Sequence, residues 1–538
     1  MHDDLSHPAA ATLLPWLNGR PVPVDFGGPT ELPFEPFLPH WTGQPAIRRF
    51  HAIAERFADK VAIDDGTTQL TYRAVREAVA DLAARVVAAT PDGGPVAAIL
   101  DTAAAFPVVF LACLMTGRPI VPVDAQDPAE RQQGILRECG AVAVVLGAGL
   151  ALPEGLAALP RIDVGIAATP APALAEPPIA SAVDAPAGIV YTSGSTGRPK
   201  GVAFSQRQFL ALLAEYVNAC HIGPEDRLLG LASLSAGGAR EALATLLTGA
   251  TFHIADLRQS GIGAALRRMA GARPTILAFV PSVLRGVAAV PGAREALASL
   301  RVLDLFGEPV SADTVAALRA VLAPECHIRI SLGSTETLVL FHWFVPRDFL
   351  PAGPVLPCGY LATQMSVALL DDDGAPALPG AVGELVVRGR YIASGMWRNG
   401  TLHAGPFRQD PDDPASRIFH TGDLVRLRGD GLAEFIGRRD RRLKIHGLRA
   451  DAGDVEAALH RLPGIADCAV VARAADGDTV LLAYVVPFAP DAISPRQIRA
   501  ALAAELPPHM VPGEIHLVDG IPRLPNFKPD LVALARRA

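Results

Sequence analysis

The chain has 538 residues and no cysteine framework. Cys113, Cys139, Cys220, Cys326, Cys358 and Cys468 are scattered, with no C-x-x-C pair and no histidine cluster beside them. That excludes a zinc or disulfide scaffold and predicts buried thiols in a reducing compartment. Long apolar runs are missing too: Ala103–Gly117 falls short of the ~20 residues that span a bilayer. The first residues, MHDDLSHPAA, carry acids where a secretion signal needs bases. A cytoplasmic protein with no membrane partner is expected. There is no basic excess either. The net charge of −7 argues against a nucleic-acid surface, which needs concentrated Lys and Arg. One local cluster could still hold a small anion. No repeat of ~20–50 residues is visible.

Half the residues are apolar and 19% are charged, as in globular proteins. The length allows several compact units. Residues 1–44 are rich in Pro and Gly without a period and read as an extended N-terminal arm. Residues 45–439 read as a large core. Short apolar runs (Pro95–Leu100, Ile120–Val123, Ala141–Leu146) alternate there with Ala- and Leu-rich helical segments. The rhythm recurs at Arg227–Ala232, Thr251–Ala255, Thr275–Val280, Arg301–Phe306 and Ile328–Leu332. Helices are expected over Ala239–Leu247 and Ala312–Leu322. This predicts an α/β fold with two doubly wound parallel sheets. From about residue 350 the strands shorten and alternate (Ser366–Leu370, Gly383–Val387), as in a small antiparallel barrel. Residues 440–538 read as a small α+β C-terminal unit, with helix Ala452–Leu462 and strands Ala469–Ala472, Val480–Val486 and Glu514–Val518.

The segment Tyr191–Val202, YTSGSTGRPKGV, carries chemistry. Gly194, Gly197 and Gly201 let backbone N–H groups approach an anion. Thr192, Ser193, Ser195 and Thr196 add hydroxyls, and Lys200 adds a charge. It is neither a Walker A loop nor G-x-G-x-x-G. By composition alone a phosphate loop and a flexible surface turn are equally good readings.

The segment resembles the phosphate-loop signature of the adenylate-forming superfamily: acyl-CoA synthetases, luciferase-like enzymes and the adenylation domains of nonribosomal peptide synthetases. The resemblance continues in order through Leu70-Thr71-Tyr72, Gly333-Ser334-Thr335-Glu336-Thr337, Gly383-Glu384-Leu385, His420-Thr421-Gly422-Asp423, Gly437-Arg438-Arg439-Asp440, Leu443-Lys444-Ile445-His446-Gly447 and Pro525-Asn526-Phe527-Lys528. In texture it is closest to a stand-alone peptide-synthetase adenylation domain. The resemblance implies an acid–thiol ligase that uses ATP and Mg²⁺, and a mobile C-terminal lid. Thr335 would donate to phosphate and Glu336 would hold Mg²⁺, which prefers oxygen ligands and phosphates. Asp423 would accept from the ribose hydroxyls, a usual task for a carboxylate. Arg438 would add a contact, and Lys528 would bridge the acid and the adenylate as the catalytic lysine. Gly307, Glu308, Ser331, Leu332, Gly333 and Lys444 complete the implied nucleotide set. Asp440 resembles the hinge.

The acid pocket departs from the pattern. Ala236 falls where peptide-synthetase domains keep an aspartate for an α-ammonium, and a buried unpaired charge is costly. An ordinary α-amino acid is therefore disfavoured. The remaining implied pocket residues are Gly237, Arg240, Ala278, Asp304, Phe306, Ser331, Val339 and Leu340. Asp304 could hold a distal amine and Arg240 a carboxylate or hydroxyl, or the two could pair with each other. A β-amino, keto, hydroxy, aryl or short acyl acid is expected. Leu332 stands where an aromatic often covers adenine, Ser334 replaces a proline, and Phe527 replaces a glycine. Phe527 would stiffen its loop or line the acyl tunnel. The expected reaction is acyl-AMP formation with release of pyrophosphate. Transfer would follow to the phosphopantetheine thiol of a separate carrier protein, since no carrier follows residue 538. Free coenzyme A as acceptor, and a degenerate nucleotide-binding scaffold, are the alternatives.

Overall fold

The apolar runs become inner strands of two large sheets. The computed structural model describes residues 15–537 except 102, 155–157, 165–176, 194–198, 232–238, 352, 354, 440–441, 446–447, 476–477, 491 and 525–526. One sheet has nine strands. Its centre is parallel and runs through His327–Ser334, Val302–Phe306, Ile276–Phe279, Arg227–Gly230, Thr251–Ile254 and Val61–Asp64. The second has eight strands, with Ile120–Asp124, Val96–Leu100, Ala143–Gly147 and Arg161–Val164 parallel. Strands covered on both faces need no polar alternation, which is why they read as continuous apolar runs.

Both sheets carry antiparallel ends that the periodicity does not announce. Pro186–Ser193 pairs antiparallel with Pro199–Ser205, so the two described ends of Tyr191–Val202 lie side by side in one ladder. His327–Ser334 likewise returns as Leu338–Phe344. Strands Ser366–Leu370, Val382–Gly389 and Arg417–Leu427 form an antiparallel sheet, with Ala433–Arg438 beside the last. In the C-terminal segment, Ile465–Ala475, Asp478–Pro487 and Glu514–Leu517 make a three-stranded sheet packed with helices Ala452–Arg461 and Pro495–Glu505.

The N-terminal arm is tied down, contrary to its lack of pattern. Leu17–Asn18 adds a strand beside Ser366–Val367. Arg20 Nη1 lies 2.8 Å from His342 Nε2. His221 bonds Leu32 O and the Asp25 carboxylate.

The L-T-Y motif is structural. Thr71 caps helix Tyr72–Ala89 by accepting from Ala74 N. Tyr72 is buried and donates to the carbonyls of Thr245 and Ala250. All six cysteines are buried and unpaired. Among the described residues no helix is long and apolar enough to cross a membrane.

Candidate active site

Strand ends and turns of the two large sheets and of the antiparallel sheet carry the candidate residues, and Lys528 comes from the C-terminal segment. Thr192 and Lys200 face each other across the hairpin Pro186–Ser205, so the predicted phosphate loop is carried on a rigid ladder. Gly194, Ser195, Thr196 and Gly197 lie outside the described residues, as do Ala236, Gly237 and the hinge candidate Asp440. Ser193 ends its strand. Lys444 stands opposite Arg449 in a two-stranded ladder.

Thr335 and Glu336 occupy the three-residue turn between His327–Ser334 and Leu338–Phe344. Ser334 and Thr337 shape this turn. Each backbone N–H donates to the other's hydroxyl, at 3.1 and 3.2 Å. Serine in place of proline therefore gives the turn a hydroxyl clasp. At Gly333 a Cβ would stand 1.9 Å from Leu338 O, so only glycine fits. The turn is stitched to the hairpin through two neighbouring residues. Ala393 N donates to Glu336 O and Ser394 N donates to Ala203 O, both at 2.8 Å.

Asp423 and Arg438 pair across adjacent strands, with Arg438 Nη1 donating to Asp423 Oδ1 at 2.9 Å. Gly307, at φ +87°, lets the chain turn where Lys528 arrives. A Cβ there would lie 3.7 Å from Lys528 Cε. Glu308 accepts from Ser282 N at the start of helix Pro281–Ala288 and pairs with Arg523 at 3.6 Å.

Lys528 retains exposed surface. Protein nevertheless crowds it, and this partial dehydration lowers its pKa. The Glu308, Asp423 and Glu336 carboxylates oppose that shift, and the Arg438 guanidinium adds to it. The structure thus gathers Lys528, Gly307, Glu308, Glu336, Asp423 and Arg438 from distant parts of the chain. Among the described residues no three His, Cys, Asp or Glu side chains gather as a metal cage. A cation here would take Glu336 and phosphate oxygens, a donor set that suits Mg²⁺.

The acid pocket resolves the choice left open for Asp304. Asp304 is 0% exposed, and its Oδ2 accepts from Arg240 Nη2 at 3.1 Å and from Arg329 Nη1 at 2.8 Å. Its Oδ1 accepts from Ser331 Oγ at 3.1 Å. This is the pairing with Arg240 that stood as the alternative to an amine-holding role. Arg240 also donates to Glu241 through Nε and Nη2, at 2.9 and 2.6 Å. Its guanidinium lies over Tyr216 and Phe306, 4.3 and 5.1 Å from the ring centres. Burial works against its charge, but Glu241 and Asp304 outweigh that and raise its pKa. Ala278 and Leu340 are buried, while Phe306, Val339 and Leu332 are half-buried. Arg329 gave no signal in the sequence, because its role depends on register with Asp304 in the neighbouring strand.

The family model for AMP-binding enzymes matches residues 50–397, and that for the AMP-binding enzyme C-terminal domain matches 454–528. Phenyloxazoline synthase MbtB of Mycolicibacterium paratuberculosis is 33% identical, over 92% of this chain and 42% of that protein. The dimodular nonribosomal peptide synthase of Bacillus subtilis is 33% identical, over 88% of this chain and 20% of its own. The chain therefore spans less than half the length of these relatives. Among solved structures, holo-PA1221, an NRPS protein containing adenylation and PCP domains, is 26% identical with a TM-score of 0.65, covering 92% of this chain and 84% of that one. The anthranilate CoA ligase AuaEII shares the fold at TM-score 0.77 and 20% identity, over 95% of this chain and 98% of that one.

Proposed function

Because the chain belongs to the AMP-binding enzyme family of adenylate-forming ligases, we propose that it activates a carboxylic acid other than an ordinary α-amino acid and passes it to the thiol of a separate carrier protein. The observation that carries this reading is Lys528 held against Gly307, amid Glu308, Glu336, Asp423 and Arg438.

A carboxylate oxygen attacks the α-phosphorus of ATP, the bond to the bridging oxygen breaks, and pyrophosphate leaves. Both reactants are anions, so positioning and charge neutralisation supply most of the acceleration. The Lys528 ammonium bridges the acid oxygen and the α-phosphate. Thr192, Thr335 and Lys200 donate to phosphate oxygens, while Asp423 holds the ribose with Arg438 fixing its carboxylate. Leu332 and Gly333 line the nucleotide site. Glu336 would hold Mg²⁺, which when bound neutralises phosphate charge. In the second half-reaction the thiol attacks the acyl carbon and AMP leaves, after the C-terminal unit has turned about Asp440.

Alanine at 236 offers no countercharge to an α-ammonium, and Asp304 is already engaged by Arg240, Arg329 and Ser331. The pocket therefore favours keto, hydroxy, aryl or short acyl acids. Exchange of radiolabelled pyrophosphate into ATP across a panel of acids tests the activation step. Acid-dependent exchange supports it, and ATP binding with no exchange for any acid overturns it. Acyl transfer to free coenzyme A as fast as to a carrier protein would reassign the acceptor.

A further inference from the structure

Next to the acid site lies a cavity whose wall includes Glu215, Tyr216, Arg240, Arg329, Val339 and Tyr391. Arg240 and Val339 line this cavity and are also among the residues that the resemblance assigns to the acid pocket. Three guanidiniums stand in or behind this wall (Arg20, Arg240, Arg329), matched by three carboxyl groups (Glu215, Glu241, Asp304). The balance demands no charge from a ligand.

The hydrogen-bonding inventory is not balanced. Arg240 is one-tenth exposed; its Nε and Nη2 are taken by Glu241 and Asp304. Among the described residues its Nη1 has no acceptor. Tyr216 Oη and Arg329 Nε are buried without partners. Two of the carboxylates, by contrast, are occupied: Asp304 holds two guanidiniums and a hydroxyl, and Glu241 holds Arg240. Glu215 lies 2.8 Å from His342 Nε2, which accepts from Arg20 Nη1. Arg240 is thus a wall residue with a guanidinium nitrogen to spare, while Asp304 and Glu241 are engaged.

We propose that the activated acid reaches past Val339 into this cavity and carries at its far end a neutral oxygen, a hydroxyl or carbonyl, that accepts a hydrogen bond from Arg240. This rests on the adenylation reading above. A far methyl would leave a guanidinium nitrogen dry. A far ammonium would meet three guanidiniums, with Asp304 and Glu241 already engaged. A far carboxylate would add a fourth anion to a balanced set. A hydrogen bond to a charged donor discriminates by about ten- to a hundredfold.

The test is pyrophosphate exchange by the full chain on matched acids of equal length, straight-chain and benzoate, ending in methyl, hydroxyl, ammonium or carboxylate. The hydroxyl acid should exceed its methyl twin in kcat/KM by about tenfold or more. In Arg240→Lys, which keeps the charge but loses the planar donor array, that ratio should collapse toward one. The methyl, ammonium or carboxylate acid leading its set overturns the inference while leaving adenylation intact. So does an unchanged ratio in folded Arg240→Lys protein. Should Arg240→Lys fail to fold, the ranking of acids by the unaltered protein decides. No exchange with any acid overturns adenylation itself, and this inference with it.

Discussion

In the proposed reaction the single ammonium of Lys528 serves two anions, the acid and the α-phosphate, and it can do so only while protonated. Removing one such donor costs about 10²–10³ in rate. Lys528→Ala should lower pyrophosphate exchange by at least that much, yet leave thiol transfer from preformed acyl-AMP largely intact. Equal loss of both steps would contradict the role. The lowered pKa adds a second expectation. The ammonium is lost as pH rises through that lowered value, so the basic limb of kcat/KM for exchange should begin below the ordinary lysine range. In kcat the limb should move upward, because bound phosphates favour the charged form. For stability the sign is opposite to that of an ion pair. Between the folded and unfolded pKa values the unfolded chain holds the proton more tightly, so Lys528's contribution to folding improves as pH rises through that window. A basic limb at the free-lysine value would remove the dehydration argument.

The helix Pro281–Ala288 is the element on which the C-terminal segment rests. Arg285 donates to Ala466 O at 2.8 Å and meets His460 Nδ1 at 3.2 Å. Burial, with the Arg285 charge beside it, pushes the His460 imidazole down to about 4, so it stays a neutral acceptor. Arg523 ties Asp467 to the Glu308 end of the same helix. Arg285→Ala should slow exchange by several-fold, as expected for about 1 kcal/mol of docking. It should leave transfer from preformed acyl-AMP unchanged, and equal slowing of both would argue for a general folding defect. A different element gives a purely structural expectation. Tyr72→Phe removes a buried donor from the carbonyls of Ala250 and Thr245, the latter keeping its bonds from Thr248, and should cost about 1–3 kcal/mol in thermal unfolding without changing relative acid preference. Elements such as Ser366–Leu370 and Ala312–Val321 were legible in the sequence within a residue or so, because burial imposes a clear period. The antiparallel returns at Pro199–Ser205 and Leu338–Phe344 were not, since composition marks a loop there but not the direction in which the chain leaves it. The site divides the same way. Asp423 and Lys528 were legible only through resemblance. Arg329, and the closure of Asp304, depend on pairing between strands, which no local pattern encodes.

On the scale of the whole molecule, the proposed two-step reaction asks the C-terminal segment to leave the pose seen here, and Phe527 weighs on that pose. Its backbone sits at φ +63°, a left-handed conformation that costs a residue with a Cβ about 1–2 kcal/mol. Its ring is 7% exposed and packs against Phe279 at 5.0 Å, within the apolar cluster of the large sheet. Burying a Phe contributes about 1.5–3 kcal/mol, and an aromatic pair about 0.5–1.5 more. The ring therefore outweighs the strain and holds the segment in the pose that delivers Lys528 to Gly307. Phe527→Gly removes both, with a net loss for this pose of about 0–3.5 kcal/mol by the same figures. Exchange should slow in that variant. Transfer from preformed acyl-AMP, which needs the segment to leave, should hold steady or quicken. Single-turnover kinetics of the two half-reactions separate these effects. Faster exchange in Phe527→Gly would mean that the strain, not the burial, sets the balance between the poses.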